Sequence, residues 1–83
     1  SDPHKQNAKS ALQEWSQGRS LNKPSYQTKE ISKNHGDLKR FHCNVFIKNN
    51  LIGEGFGSSR KNAEKEAARK ALESLTLKED QVD

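Results

Sequence analysis

RFHCNVFIKNNLIGEGFGSSRKNAEKEAARKALESL, residues 40–75, changes its hydrophobic period from two to about 3.6 part-way along. Over 40–48, Phe41, Cys43, Val45 and Ile47 alternate with His42, Asn44, Phe46 and Lys48, which predicts a strand with one buried and one wet face. Asn49 and Asn50 predict a hairpin turn into a further strand, LIGEGFGS (51–58), which carries three glycines. From Ser59 to about Leu75 the spacing is helical: Ala63, Ala67, Ala68, Ala71, Leu72 and Leu75 form an apolar stripe. Arg60, Lys61, Lys65, Arg69 and Lys70 project elsewhere, and Ser58 or Ser59 can cap the helix start.

Working outward, YQTKEIS (26–32) predicts a weaker strand, joined to the strong one by the loop KNHGDLKRF (33–41), in which Gly36 permits a tight bend. GRSLNKPS (18–25) is a connector whose exit Pro24 fixes. Before it, Ala8, Ala11, Leu12 and Trp15 recur at i, i+3, i+4 and i+7, predicting a helix over 6–17 with Gly18 as its stop. Residues 1–5 are expected to be a disordered lead-in, 6–75 the domain, and 76–83 an acidic flexible tail. The fold class is α+β, in the order α-β-β-β-α, with an antiparallel three-stranded sheet and two helices packed on one face. Trp15 and Phe41 are expected in the core and Phe46 on the open sheet face, available to another domain or protomer.

Composition narrows the functions. At 83 residues with 29% apolar content, the chain has room for one small core, which an enzyme of usual size exceeds. The net charge is +4; leaving out the last eight residues, 14 basic and 8 acidic residues remain, a net +6 that favours an anionic partner. One cysteine, Cys43, allows no internal disulfide and fits a reducing compartment, the cytoplasm first, with nucleus or organelle as alternatives. No apolar run approaches membrane-spanning length, so no membrane role is expected. The first residues, Ser-Asp-Pro, and the lack of methionine suggest a fragment of something longer.

Three clusters carry possible binding chemistry. Gln6, Ser10, Gln13 and Gln17 fall on one side of the first helix and both donate and accept hydrogen bonds, as a ribose 2′-hydroxyl requires; a solvated polar face has the same pattern. Asn34, His35, Lys39 and Arg40 stand in a loop able to enter a groove, or to serve as an ordinary charged hairpin. Ser58, Ser59, Arg60 and Lys61 sit at a helix N-terminus, where the free N–H groups and the helix dipole favour phosphate. Two bases there oppose the dipole at about 0.3–1 kcal/mol each unless an anion compensates. From Glu64 onward the helix charges read as solvated surface. GEGFG (53–57) lacks the lysine spacing of a phosphate loop. His42 and Cys43 point to opposite strand faces, and no Ser/His/Asp or paired-carboxylate set stands out, so neither metal binding nor catalysis is expected.

In this order and setting, AKSALQEWSQ (8–17), PSY (24–26), RFHCNVFI (40–47), GEGFGSSRKNAEKEAARKAL (53–72) and the terminal ESL resemble the double-stranded RNA-binding domain, over about residues 6–75. LQEW, the pattern GxGxS-[KR]-[KR]-x-A-E and the short Q-x-R connector are most similar to the C-terminal domain of bacterial-type ribonuclease III. Many other members read K-K-x-A-K where this chain has Glu64, with Lys65 following about 100° further round the helix. The resemblance implies that Ser10, Gln13 and Glu14 meet one minor groove, and Gln6 of the same polar stripe is expected beside them. It implies that the loop, through His35, reaches the next, and that Ser59, Arg60 and Lys61 meet the phosphates between, with Lys65 expected to join them. The loop reads NHGD where the family usually has G-P-x-H, with one extra residue between Pro24 and Phe41, so its register stays open.

The expected function is therefore to grip double-stranded RNA for a ribonuclease III-like endonuclease. This chain is non-catalytic and without cofactor, Mg²⁺ belonging to a nuclease domain outside it, in a parent enzyme that could be a homodimer. The alternatives are a protein-interaction or dimerisation domain of the same fold with weak or no RNA binding, and a small basic DNA-binding protein.

Overall fold

The computed structural model describes residues 7–19 and 21–80. Two helices and three strands follow in the order α1 (Ala8–Gly18), β1 (Ser25–Glu30), β2 (Phe41–Ile47), β3 (Asn50–Gly57) and α2 (Arg60–Asp80). The sheet is antiparallel with strand order β1-β2-β3, so the α-β-β-β-α fold has the expected topology.

The strong alternation in β2 becomes the observed burial: Phe41, Cys43, Val45 and Ile47 are buried, and the residues between are partly open. Pairing carries the alternation across the sheet. Tyr26, Thr28 and Glu30 of β1 oppose Val45, Cys43 and Phe41 on the helix side. Ser25, Gln27 and Lys29 oppose Phe46, Asn44 and His42 on the open side, where Phe46 was expected. Cys43 is a buried free thiol whose pKa burial pushes above its usual range, so it is a core residue and not a ready nucleophile.

On β3 the glycines have a packing role that composition could not disclose. Gly53, Gly55 and Gly57 face α2, and a Cβ on any of them would collide with that helix: with Ala71 and the Ala67 carbonyl, with Glu66 and the Ala67 amide, and with Asn62 and the Ala63 amide, respectively. Ala63, Ala67 and Ala71 recur every fourth residue and are fully buried, so small residues face glycines along two turns of close contact. A bulge interrupts the β2–β3 ladder, with Val45 opposite Gly53 but Phe46 opposite Leu51. The extra residue, Ile52, thereby turns onto the core, while Leu51 joins Phe46 on the open side.

Several boundaries differ from expectation for local reasons. The hairpin turn is Lys48-Asn49, both with positive φ, one residue earlier than Asn49-Asn50; Asn50 already pairs with Ile47. α1 ends with Gly18 as its last residue, one past the expected end; the Arg19 and Leu21 amides both donate to the Ser16 carbonyl to close it. Trp15 is half-buried, its ring stacked with the Arg19 guanidinium at 4.3 Å, and it lines a shallow hollow with Leu21, Ile47 and Leu75. Ser16 takes the fully buried place, its hydroxyl donating to the Gln13 carbonyl at 2.9 Å. α2 continues through Asp80, past its expected end near Leu75 and into the segment expected to be a flexible tail.

Candidate nucleic-acid interface

The start of α2 is built by Ser59. Its Oγ accepts the Asn62 amide at 3.1 Å and its carbonyl accepts the Ala63 amide at 2.9 Å, leaving Arg60 and Lys61 in the first turn. The two bases behave differently. Arg60 bends back: its Nη1 donates to the Thr28 carbonyl at 3.3 Å and its guanidinium lies 5.0 Å from the Phe41 ring centre. Lys61 is exposed and has no hydrogen bond or ion pair among the described residues. Lys65, half-buried, follows Lys61 by one turn and shares its side of the helix.

Glu64 is not the solvated surface residue that its charge suggested. Its Oε1 accepts from Lys9 Nζ at 2.6 Å and its Oε2 from the Thr28 hydroxyl at 3.4 Å, so it joins α1, β1 and α2. Lys9 also sits 4.8 Å over the Tyr26 ring. Sequence reasoning overlooked Lys9 altogether, because its partner is 55 residues away.

On α1, Ser10, Gln13, Glu14 and Gln17 are all exposed, as a contact stripe needs. Gln6 lies outside the described residues. With about 100° per residue, Lys9 falls between the buried Leu12 side and the Gln13 side of α1, so the polar stripe borders the flank tied to Glu64.

The β1–β2 loop is braced from within. Arg40 donates to the Glu30 carboxylate through Nη2 at 2.7 Å and Nε at 3.0 Å, and Lys33 reaches the same carboxyl group at 3.3 Å. The Arg40 bonds, and after them the Lys33 bond, hold the Glu30 pKa below the usual carboxylate range. Arg40 is thus a structural cation of the loop root and not a free one. Gly36 has no positive φ; the bend is made by Asn34, whose Oδ1 accepts the Gly36 amide and whose carbonyl accepts the Asp37 amide. Exposed His35 has its Nδ1 3.2 Å from Arg40 Nη1. A guanidinium only donates, so Nδ1 is the acceptor in this contact and Nε2 is the ring's remaining polar atom.

These pieces converge. β2 begins where β3 ends, so the β1–β2 loop and the start of α2 share one end of the sheet, with the hairpin at the other. Phe41 joins them directly: Arg40 from the loop and Arg60 from the helix lie 4.9 and 5.0 Å from its ring centre. Lys9–Glu64 joins the beginning of α1 to the same end, while Trp15 and Leu75 meet at the other, so the two helices run in the same direction. The arrangement offers neutral donors and acceptors, a loop-tip donor and a cationic helix start to an extended polyanion. Among the described residues, no three of His, Cys, Asp and Glu gather as a metal site, and no helix is long and apolar enough to cross a membrane.

Residues 8–75 match the family model described as "Double-stranded RNA binding motif". Ribonuclease 3 of Prochlorococcus marinus is 72% identical over 75 residues, covering 90% of this chain and 30% of that protein. The Nostoc sp. protein named Ribonuclease 3 2 is 39% identical over 79 residues, covering 95% of this chain and 33% of that protein. The chain therefore spans about a third of the length of these relatives. A solved structure of Arabidopsis HYL1, described for its implications for miRNA processing, superposes with a TM-score of 0.65 at 30% identity, covering 83% of this chain and 94% of that one.

Proposed function

We propose, because the chain belongs to the double-stranded RNA binding motif family, that it is the substrate-gripping module of a ribonuclease III-type endonuclease. The module binds double-stranded RNA. Recognition is by shape: an A-form duplex exposes 2′-hydroxyls in wide, shallow minor grooves, with a phosphate-walled major groove between them. In our reading Ser10, Gln13 and Glu14, with Gln6 ahead of them, meet one minor groove and His35 the next. The start of α2 bridges the phosphates with Ser59, Arg60, Lys61 and Lys65. The observation that carries this reading is the convergence of all three regions on one end of the sheet through Phe41 and Lys9–Glu64.

Cleavage belongs to a Mg²⁺-dependent nuclease domain elsewhere in the parent protein, since this chain matches only a third of the ribonucleases. The parent is proposed to be a cytoplasmic homodimer, with the single buried thiol suiting a reducing compartment. Titration with a duplex of about 20 bp, long enough for the roughly 16 bp that such domains span, tests the binding mode. RNA duplex should bind, DNA duplex should bind far more weakly, and affinity should fall as salt rises. Equal affinity for both duplexes would overturn shape recognition; binding to neither would favour a protein-interaction domain.

A further inference from the structure

We propose that Lys9 and Glu64 are positioning residues for RNA binding, an inference that rests on the functional reading above. An acid one turn into a helix whose start must accept a polyanion calls for explanation. Its carboxylate is already occupied by Lys9 at 2.6 Å and Thr28 at 3.4 Å, and the pair is not fully wet: the Lys9 side chain is 49% exposed and that of Glu64 26%.

What the pair holds is α1, an element with few other constraints. α1 has 11 residues, no side-chain cap at Asn7, no acid in its first turn, and only Ala8, Leu12 and Ser16 buried. Lys9 leaves α1 beside the polar stripe and ends on the same α2 turn that carries Lys65. The ion pair therefore sets the spacing between Ser10 and Gln13 on one side and Lys61 and Lys65 on the other. A duplex presents ribose and phosphate at fixed separations, so a looser α1 lowers the fraction of molecules competent to bind, and apparent affinity falls in proportion.

The sign of one substitution separates this role from bulk charge. E64Q makes the protein more positive, so simple electrostatics strengthens RNA binding, whereas loss of positioning weakens it. The experiment measures Kd for a 20-bp RNA duplex over a salt series for the unmutated chain, K9M, E64Q, K9M/E64Q and the swap K9E/E64K, with a thermal melt of each. An exposed pair is worth little to stability, so every variant should stay folded at the assay temperature. Each single variant should bind about two- to fivefold more weakly. The double should be no weaker than the worse single, the swap should recover most of the loss, and the salt slopes should coincide. Tighter or unchanged binding by E64Q, or additive losses in the double, would overturn the proposal. So would a K9M salt slope shallower by about 0.9, which would make Lys9 a direct phosphate contact. Failure of the unmutated chain to bind RNA would instead sink the functional reading, and this inference with it.

Discussion

One methyl group added at Gly55 tests the close seating of α2 on β3. An ideal Cβ there lies 2.7 Å from the Glu66 carbonyl carbon and from its Cβ, and closer still to the Ala67 amide. Ordinary contact begins at 3.4 Å, so α2 has to withdraw by at least about 0.7 Å, and further at the Ala67 amide, because backbone and first side-chain carbons cannot rotate away. A gap of that size forfeits about a quarter to a half of the dispersion energy of the facing atoms, and those atoms include the fully buried Ala63, Ala67 and Ala71. Overpacking of this kind costs about 1–3 kcal/mol, and the rigid surroundings put Gly55→Ala near about 3 kcal/mol. In a domain of this size each kcal/mol lowers Tm by about 4–8 °C, so the variant should melt about 12–24 °C below the unmutated chain. Far-UV circular dichroism melts provide the assay, with Gly36→Ala as control: its new Cβ would meet only Asn34 Oδ1 at 3.5 Å and its φ is not positive. A Gly55→Ala melt within about 3 °C of the unmutated chain, less than the shift that about 1 kcal/mol produces, would refute the close approach of strand and helix.

The interface and its supports allow further tests. Lys61→Ala should leave the melt unchanged and make the salt dependence of RNA affinity shallower by about 0.9 in log–log slope; an unchanged slope would remove Lys61 from the phosphate contacts. Arg60→Ala should weaken binding too, but it also takes away the bond to the Thr28 carbonyl, so the protein should lose about 0.5–1.5 kcal/mol by denaturant titration. Equal melts for the Lys61 and Arg60 variants would contradict the different geometry of the two bases. Ser59→Ala removes the cap on the Asn62 amide and should cost about 1 kcal/mol, with Ser59→Asp retaining most of it. Glu30, whose folded pKa is lowered first by Arg40, stabilises fully above the usual carboxylate range and loses that contribution as pH falls through the lowered value. The melting difference between the unmutated chain and Glu30→Gln should therefore be widest near neutral pH and close in acid; a difference that widens in acid would reverse the assignment.

Periodic features were legible in the sequence, because they depend only on neighbours along the chain. The alanine stripe of α2 and the alternation of β2 appear in the structure as expected, as does the exposure of Ser10, Gln13 and Glu14. Features set by a distant partner were not. Glu64 looked like one acid among solvated charges until Lys9, across the helix pair, gave it a function. The glycines of β3 had the density of a phosphate loop without its lysine spacing, and their role stayed hidden, since what a glycine makes room for is visible only when the opposing helix is in place. Trp15, large and correctly phased, was expected in the core, yet Ser16 took the buried position while the indole stayed half-open beneath Arg19. The hairpin moved by one residue because Lys48 and Asn49 adopt the left-handed backbone that such a turn requires.

Phe41 has a consequence for what can be exchanged in this domain. Arg40 and Arg60 rest on the same ring, so the foot of the loop and the first turn of α2 form one unit. The tip between Asn34 and Asp37 is held mainly by its own short-range bonds, and it touches the foot where His35 Nδ1 and the Asp37 carbonyl meet Arg40. A tip of another sequence but equal length, keeping a partner for Arg40, can be transplanted onto these feet without reshaping the helix end. If the proposed interface holds, reach along an RNA duplex can then be altered at the tip while the start of α2 is left as it is.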